Sequence, residues 1–407
     1  MTHVPVSRLL SAAALMLALE AAAVPAMAED LKSSPLIVQR IDDIRPVVGA
    51  DGKTHLVYEL LFVNQSPFTV SIDEIVVVDA NTNFDLETLS GGKLATAARL
   101  TPLGGAGTLL QPSQSSLVFI DAAVSAGHAP SALINRVTVT QTATATGAVE
   151  HGGLTATAEL GARPTIMFET EVAFIDTTPP IVLVAPVHGD NWIMFRGCCD
   201  LASSHRGGAN SYNGALRITE RFAIDLVQMD ESGLMIAGPG DALTSYVYYG
   251  QPIYAVADGT VVSARNDQPE QVPGTLPNGI AEELAGGNAA VIDIGGGAFA
   301  FYAHMQTGSV LVKAGDRVRA GDQIGNIGNS GKTIGPHLHF HLSTASGVGG
   351  DGLPFVFSKF VGEGALNGDG LMQALTGQPA EILPDLLAGP HVNAMPLNNQ
   401  VVDFGRE

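Results

Sequence analysis

The segment 335–342, GPHLHFHL, alternates three histidines with apolar residues. Successive side chains of a β-strand point to opposite faces, so His337, His339 and His341 are expected on one face and the apolar residues on the other. Neutral imidazole is a common protein ligand for zinc, and a carboxylate often completes such a site. The pattern therefore favours a metal site on a strand with one buried face. The alternative is a chance histidine-rich edge strand.

Further strand-like segments precede this one and carry other polar residues. Residues 221–226, RFAIDL, place Asp225 opposite an apolar face. Residues 252–262 are typical of a strand, a tight turn at an Asp-Gly pair and a second strand. Another apolar run ends in YAHM, which contains His304. These segments predict a β-rich domain that brings a carboxylate and several histidines into one chain region.

The order of the segments AVADGTVV, GNAAVIDIG, YAHM, VKAGDRVRAGDQIGNIGNSG and GPHLHFHL closely resembles that of the lysostaphin-type (LytM-like) zinc metallopeptidases. The resemblance covers roughly residues 187–345, under half of the chain. It implies an antiparallel β-sheet groove that holds one zinc ion, Zn2+. It also implies hydrolysis of short peptide bonds in bacterial cell-wall peptidoglycan, or occasionally in Gly-rich extracellular protein.

The resemblance implies roles for individual residues. His339 matches the metal ligand of the family's His-x-His motif, and His337 matches its catalytic partner. His304 matches the second catalytic histidine. Asp225 matches the carboxylate ligand of the metal.

The chain departs from the family pattern at the first metal ligand. That ligand is usually a histidine four residues before the aspartate, where this chain has Arg221. A guanidinium offers no lone pair to a metal, so Arg221 cannot replace the histidine. In one interpretation His205, in SSHR, supplies the missing ligand, because the flexible loop over residues 207–214 that follows it could carry it back to the site. In the other, the domain is a pseudoenzyme that has lost its metal; the retained histidines and Asp225 favour the first.

In the first interpretation His205, Asp225 and His339 hold zinc tetrahedrally and leave one position for water. Zinc would lower the pKa of that water towards ~7, and His304 and His337 would handle its proton and the oxyanion of the tetrahedral intermediate.

Two further residues receive supporting roles. By strand parity Arg221 shares the face of Asp225, and we expect it to orient Asp225 or to bind a substrate carboxylate; a surface salt bridge is the alternative. His341 lies about 6–7 Å beyond His339 along the strand, so it is expected to line the groove or support the ligands rather than to be a fourth ligand.

The composition excludes several classes of partner. Asp plus Glu number 40 against 20 Lys plus Arg, giving a formal charge of −20. A nucleic-acid binder needs a basic face, and so does a protein that docks on anionic lipid, so both are disfavoured. Two cysteines are too few for a disulfide scaffold. Cys198 and Cys199 are adjacent and are left with four possibilities: free thiols, bonds to another chain, a strained mutual bridge, or metal ligands.

The remaining sequence predicts a mostly β protein with an export signal. Residues 1–28 combine Arg8, an apolar run and an A-x-A site, as in a secretory signal peptide, and the run is shorter than the ~20 residues a membrane span needs. An immunoglobulin-like antiparallel β-sandwich is predicted at 33–163, followed by a linker at 164–186. The LytM-like peptidase domain is predicted at 187–358, and a C-terminal tail at 359–407.

These features together predict an exported zinc metalloendopeptidase, periplasmic or extracellular, that hydrolyses peptide cross-links of peptidoglycan. The expected partners are peptidoglycan peptide stems or cross-bridges, with no nucleic acid and no integral membrane segment after signal cleavage. The alternative function is that of a catalytically inactive LytM-like domain that binds peptidoglycan or activates a separate amidase.

Overall fold

The computed structural model describes residues 32–101, 104–142, 149–151, 154–156, 164–201, 203–384 and 386–405. The predicted signal peptide, 1–28, lies outside the described residues. From Ser34 onward the chain forms one compact unit, built mainly of antiparallel strands, which confirms the predicted mostly-β class. In the described part of the chain, no helix has both the length and the apolar character that crossing a membrane requires.

The strands of the N-terminal part are numbered in chain order, with helix α1 (Gly91–Ala97) between β5 and β6. They are β1 (Leu36–Ile41), β2 (Val47–Val48), β3 (Lys53–Asn64), β4 (Thr69–Asp79), β5 (Asp85–Ser90), β6 (Ala98–Thr101), β7 (Leu109–Leu110), β8 (Ser115–Ser125), β9 (Ala132–Thr142), β10 (Val149–His151), β11 (Leu154–Ala156), β12 (Thr165–Glu169) and β13 (Ala173–Phe174).

Two antiparallel sheets enclose one apolar core in this part. The first has the order β1-β3-β8-β6 with β2 beside β3, and the second has the order β12-β9-β4-β5 with β7 and β13 at its sides. Tyr58 and Phe62 of β3 pack in the same core as Ile75 of β4 and Val137 of β9. This arrangement confirms the predicted antiparallel sandwich.

Strand β3 is buried on both faces, as its long apolar run predicts. One face belongs to the sandwich core, whereas Val57, on the other face, packs into the core of the C-terminal part. Because Val47 and Ala50 join the same C-terminal core, the sandwich and the C-terminal part share an apolar interface.

The C-terminal strands continue the numbering, together with helices α2 (Ser204–Gly207) and α3 (Gly368–Leu375) and short 3₁₀ helices at Leu243–Ser245 and Glu282–Leu284. They are β14 (Ile181–Leu183), β15 (Trp192–Phe195), β16 (Asn210–Tyr212), β17 (Ala215–Arg217), β18 (Ile224–Gln228), β19 (Pro252–Tyr254), β20 (Gly259–Arg265), β21 (Asn288–Gly295), β22 (Ala298–Met305), β23 (Arg317–Val318), β24 (Gln323–Asn326), β25 (Leu338–Ser343), β26 (Gly352–Leu353), β27 (Phe355–Ala365), β28 (Gly389–Ala394) and β29 (Gln400–Asp403).

Most of these strands form one large sheet with the order β14-β27-β29-β15-β18-β25-β22-β21-β20-β23, to which β26 and β28 add at the sides. Its pairs are antiparallel except for the parallel pair β14 and β27. The centre of the sheet, β18, β25 and β22, contains the residues singled out for metal chemistry.

Strands of both parts of the fold also come from chain regions that were predicted to be a tail or a linker. Residues 359–407 were predicted as a tail in which 401–404 could form a closing strand; in the structure β28 and β29 both belong to the sheet, and β29 pairs with β15 and β27. Likewise β12 and β13, within the predicted linker 164–186, add to the second sheet of the sandwich. Short strands between Gly and Pro breaks leave weak local patterns, because their backbone hydrogen bonds are made to partners distant in sequence.

Candidate metal and catalytic site

The pairing of β18 with β25 places Asp225 directly opposite His339. On the other face of the sheet the neighbouring apolar residues Ile224, Leu338 and Phe340 are fully buried in the core. Strand alternation therefore leaves Asp225 and His339 on the side away from that core. Strand β22 lies on the far side of β25, with Ala303 opposite His339, so His304 follows at the same level.

The three predicted metal ligands lie close together at this point of the sheet. The Nδ1 atom of His339 lies 3.0 Å from Oδ1 of Asp225. The Nε2 atom of His205 lies 3.2 Å from the same oxygen, and the two imidazole rings are 4.9 Å apart. All three residues are buried, and their possible ligand atoms lie within 4.8 Å of one another. The structure thus brings together residues that are far apart in the sequence.

His205 is carried by the single turn α2 and is fixed by two hydrogen bonds. The Ser203 hydroxyl caps the turn by accepting from the His205 amide at 3.3 Å. The His205 Nδ1 atom lies 3.1 Å from the carbonyl oxygen of Arg196. A carbonyl only accepts, so Nδ1 carries a proton, and Nε2 is the ring nitrogen that faces Asp225.

The charges at this point attract one another. Burial acts to raise the pKa of Asp225, but His337 and His205, with hydrogen bonds from His205 and His339, hold it well below its usual range. Burial acts to lower the pKa of His205, but Asp225 and Glu220 outweigh it and raise the value to about 9. Asp225 is therefore an anion that favours a positive partner at its Oδ1 atom.

His304 and His337 flank this cluster, and both point Nδ1 at a backbone carbonyl. His304 Nδ1 donates to the Ser330 carbonyl at 2.8 Å, and His337 Nδ1 donates to the Gly335 carbonyl at 2.9 Å. The rings lie 4.7 Å apart. Burial lowers the pKa of each imidazole, for His304 to well below its usual range, so both are neutral at pH 7 with Nε2 as an acceptor.

The backbone around His304 is held in an uncommon conformation. His304 has φ of +59°, which a residue with a side chain seldom adopts. Its amide donates to Gly286 at 2.8 Å, and its carbonyl accepts from Gly328 at 3.1 Å. A side chain at Gly287 would collide with the Ser330 carbonyl that anchors the His304 ring. Such local strain persists where surrounding contacts enforce it, and it is common at functional sites.

His341 contacts the cluster on the side of His339 that faces away from Asp225. Its Nδ1 atom lies 2.9 Å from Nε2 of His339, and its ring stacks on Phe301 with centroids 4.6 Å apart. Burial holds the pKa of His341 well below its usual range, so the imidazole is neutral. Glu220, nearly half exposed, lies 3.5 Å from the same His339 nitrogen. His341 therefore orients His339 through the nitrogen that faces away from Asp225.

Arg221 lies elsewhere than strand parity predicts. Strand β18 begins at Ile224, so Arg221 is in the preceding turn, and parity does not extend to it. Its guanidinium is buried and bonds Glu59 at 2.8 Å and Asp42 at 3.0 Å, both in the sandwich. Of the predicted alternatives the structure shows a salt bridge, and it is buried rather than at the surface.

Arg196 is the arginine that contacts the site, and no motif in the sequence marks it. Its Nη1 atom lies 3.5 Å from Oδ2 of Asp225, and its side chain is 40% exposed. Arg196 lies at the site because it directly follows Phe195, the last residue of β15, which pairs with Asp225. Glu220 was also missed, since neither residue stands in a motif that marks it.

The two cysteines form a disulfide with each other, one of the possibilities that the sequence left open. The Cys199 sulfur lies near His55 and Asp121 of the sandwich. Because this sulfur is bonded to Cys198, it offers no thiolate to a metal there.

The donor set of His205, Asp225 and His339 fits a zinc ion. Two imidazole nitrogens and one carboxylate oxygen are ligands that catalytic zinc sites use, with the fourth position left for water. The hydrogen bonds from His205 to the Arg196 carbonyl and from His339 to His341 are the outer contacts that orient such ligands. His304 and His337 lie beside this set rather than in it.

Comparison with known proteins assigns part of the chain to a family. Residues 241–349 match the model of Peptidase family M23. The chain therefore contains a peptidase domain of the M23 type, the lysostaphin-like class that the motif order predicts. The matched segment contains His304, His337, His339 and His341, whereas Asp225 and the residues before it lie upstream.

Individual relatives share this segment. The peptidoglycan DD-endopeptidase ShyA of Vibrio cholerae is 36% identical over 93 residues, which are 23% of this chain and 17% of that protein. The glycyl-glycine endopeptidase ALE-1 of Staphylococcus capitis is 30% identical over 120 residues, 29% of each chain. The matches thus span less than a third of these relatives.

A solved structure is similar to part of the chain. The catalytic domain of EnpA, a prophage-encoded M23 protein from Enterococcus faecalis, is 22% identical. The alignment has a TM-score of 0.24 and covers 42% of this chain and 93% of that one.

Proposed function

We propose that this protein is an exported zinc metalloendopeptidase that hydrolyses peptide cross-links of bacterial peptidoglycan. The observation that carries the proposal is the convergence of His205, Asp225 and His339 beside two histidines whose Nδ1 protons are held by backbone carbonyls; one of these, His337, places its Nε2 atom 3.4 Å from Oδ1 of Asp225. A bound zinc ion would lower the pKa of a coordinated water and polarise the scissile carbonyl.

The chain's own residues account for the proton movements. Neutral His304 and His337 each present an Nε2 lone pair, because their Nδ1 protons are engaged by backbone carbonyls. One of them accepts a proton from the attacking water; as an imidazolium it donates a hydrogen bond to the negative oxygen of the tetrahedral intermediate and then gives that proton to the leaving amine. The other stays neutral and orients the attacking water by accepting a hydrogen bond from it. Arg196 adds a positive charge at the rim of the site.

The substrate class is supported by the relatives' names and by the sequence. ShyA is named for peptidoglycan and ALE-1 for a glycyl-glycine bond, so both act on peptide bonds. The secretory signal predicted at 1–28 would bring the chain to the compartment of the cell wall. Peptidoglycan carries negative groups, and this chain has a formal charge of −20, so attraction must come from the local site rather than from net charge.

Metal content tests the proposal most directly. The purified chain is expected to bind one zinc ion per molecule and to release soluble peptides from purified peptidoglycan, with a Gly-rich peptide as the comparison substrate. His205→Ala should weaken zinc binding by at least the ~10–100-fold that loss of an outer contact costs, since it removes a ligand itself. Changing His391, which is remote from the site, to Ala is the matched control.

Two results would contradict the proposal in different ways. Zinc binding by His205→Ala that equals that of the unchanged chain would remove His205 from the ligand set. A chain that binds no zinc and cleaves no peptidoglycan, yet sediments with it, would instead indicate the inactive binding domain, and stimulation of an added amidase would identify the activator form of that alternative.

A further inference from the structure

The sandwich contributes a buried carboxylate to the peptidase part. Glu59 lies on the face of β3 that is turned away from the sandwich core, and its side chain is fully buried. A buried carboxylate is costly unless it is paired and hydrogen-bonded. Its partners are therefore a structural requirement, and both come from the C-terminal part.

Arg206 is the first partner. Its Nε and Nη2 atoms donate to Oε1 of Glu59 at 3.0 and 2.9 Å. The same Nη2 donates to the carbonyls of Tyr58 and Ile120 at 3.1 and 3.0 Å, and the guanidinium lies over the ring of Phe119, 5.2 Å from its centroid. The side chain is thus inserted into the sandwich surface with only 1% of it exposed.

Arg221 is the second partner. Its Nε atom donates to Oε2 of Glu59 at 2.8 Å, and its Nη1 atom donates to Asp42 of the sandwich at 3.0 Å. The two oxygens of Glu59 are therefore divided between two arginines. Two carboxylates face two guanidiniums, so this buried group is formally neutral, as a dry ionic cluster must be.

The two arginines are placed at the segments that carry two of the metal-site residues. Arg206 directly follows His205 on α2, which is a single turn. Arg221 lies in the turn that leads into β18, the strand that contains Asp225. An isolated helical turn has little stability of its own, so α2 depends on tertiary anchors. The two hydrogen bonds from Arg206 to Oε1 of Glu59 are charge-assisted anchors of this kind.

We propose that Glu59 is a positioning residue for the metal site, acting across the interface through Arg206 on the turn that carries His205 and through Arg221 on the approach to Asp225. This inference rests on the proposed function. It gives the sandwich a role in metal affinity that the peptidase motifs do not contain.

The test measures zinc affinity by chelator competition on the full chain. Glu59→Gln keeps the shape but removes the charge that both arginines require, and it should lower zinc affinity by up to about 10–100-fold, the cost of losing a group that contacts a ligand directly. Tyr58→Phe is the matched control: it lies next to Glu59, faces the sandwich core and loses a buried hydrogen bond to Asn135. It should lower the melting temperature and leave zinc affinity unchanged.

A second variant covers the case in which Glu59→Gln fails to fold. Arg206→Lys keeps the opposite charge beside Glu59 but cannot reproduce the paired Nε and Nη2 contacts, so it should fold and still bind zinc more weakly. Wild-type zinc affinity in a folded Glu59→Gln or Arg206→Lys chain would overturn the inference, and so would an equal loss in Tyr58→Phe. Failure of the proposed function is seen separately, in the unchanged chain or in His205→Ala.

Discussion

Replacing His341 with phenylalanine isolates one hydrogen bond behind the candidate metal site. Phenylalanine keeps the ring that stacks on Phe301 and fills nearly the same volume, but it removes the Nδ1 atom that lies 2.9 Å from Nε2 of His339. When His339 binds a metal through Nδ1, its Nε2 carries a proton, and neutral His341 accepts it. His341→Phe leaves that proton facing a hydrocarbon ring.

The expected cost follows from the burial of this contact. His339 and His341 are each about nine-tenths buried or more, so water replaces the lost acceptor poorly. Loss of an outer contact of this type lowers metal affinity about 10–100-fold, or about 1.4–2.8 kcal/mol. Glu220, 3.5 Å from the same nitrogen, is 42% exposed and is expected to compensate only in part. Adding Glu220→Gln to His341→Phe should therefore weaken zinc binding further.

The assay is competition for zinc between the protein and a chromogenic chelator at fixed pH. His391→Phe is the matched control, because His391 also stacks on a phenylalanine, Phe360, with centroids 4.8 Å apart, but lies outside the site. We expect wild-type affinity for the control. If His341→Phe also binds zinc as tightly as the unchanged chain, the assignment of His341 as the residue that orients His339 is refuted.

Two other changes test separate features of the molecule. His304→Ala and His337→Ala should each retain zinc but lower peptidoglycan hydrolysis about 10²–10⁴-fold, because they remove proton-handling groups and not ligands; loss of zinc from either would contradict their role. In the sandwich, burial acts to lower the pKa of His55, but hydrogen bonds and charge from Asp121 and Asp51 outweigh it and raise the value. This contribution to stability is full below the unfolded pKa of about 6.5 and is lost as pH rises through the folded pKa. The free energy of unfolding, measured with denaturant at about pH 6 and about pH 9, should therefore fall more between these pH values for the unchanged chain than for His55→Gln. Equal falls in the two chains would contradict this role of His55.

The fold was predictable wherever a strand has a distinctive local pattern. The apolar run over residues 56–63 of β3 is typical of a largely buried strand, and the Asp-Gly turn before β20 separated two strands as expected. The boundaries of the domains had no such local pattern, so segments of the predicted linker and tail proved to be strands of the two sheets. Strand β29 is only four residues long, and it is a strand because β15 and β27 supply its hydrogen bonds from remote parts of the chain.

The sequence by itself determined the residues on β25, because alternation along a strand is a local property. His339 and His341 lie on one side of β25 for that reason, and the motif order marked His304 and Asp225 as well. Tertiary structure decided which of these residues meet. The pairing of β18 with β25 sets Asp225 against His339, and parity failed for Arg221 because β18 begins after it.

The position of His205 depends most on the tertiary structure. Nothing in its local sequence directs its imidazole to Asp225, since a single helical turn followed by a glycine-rich segment has many available orientations. In the structure the Arg196 carbonyl orients the ring, and the buried pair of Arg206 with Glu59 holds the turn against another part of the fold. A ligand candidate could therefore be selected from the sequence by its residue type, but its place was fixed by burial and pairing of charges across an interface.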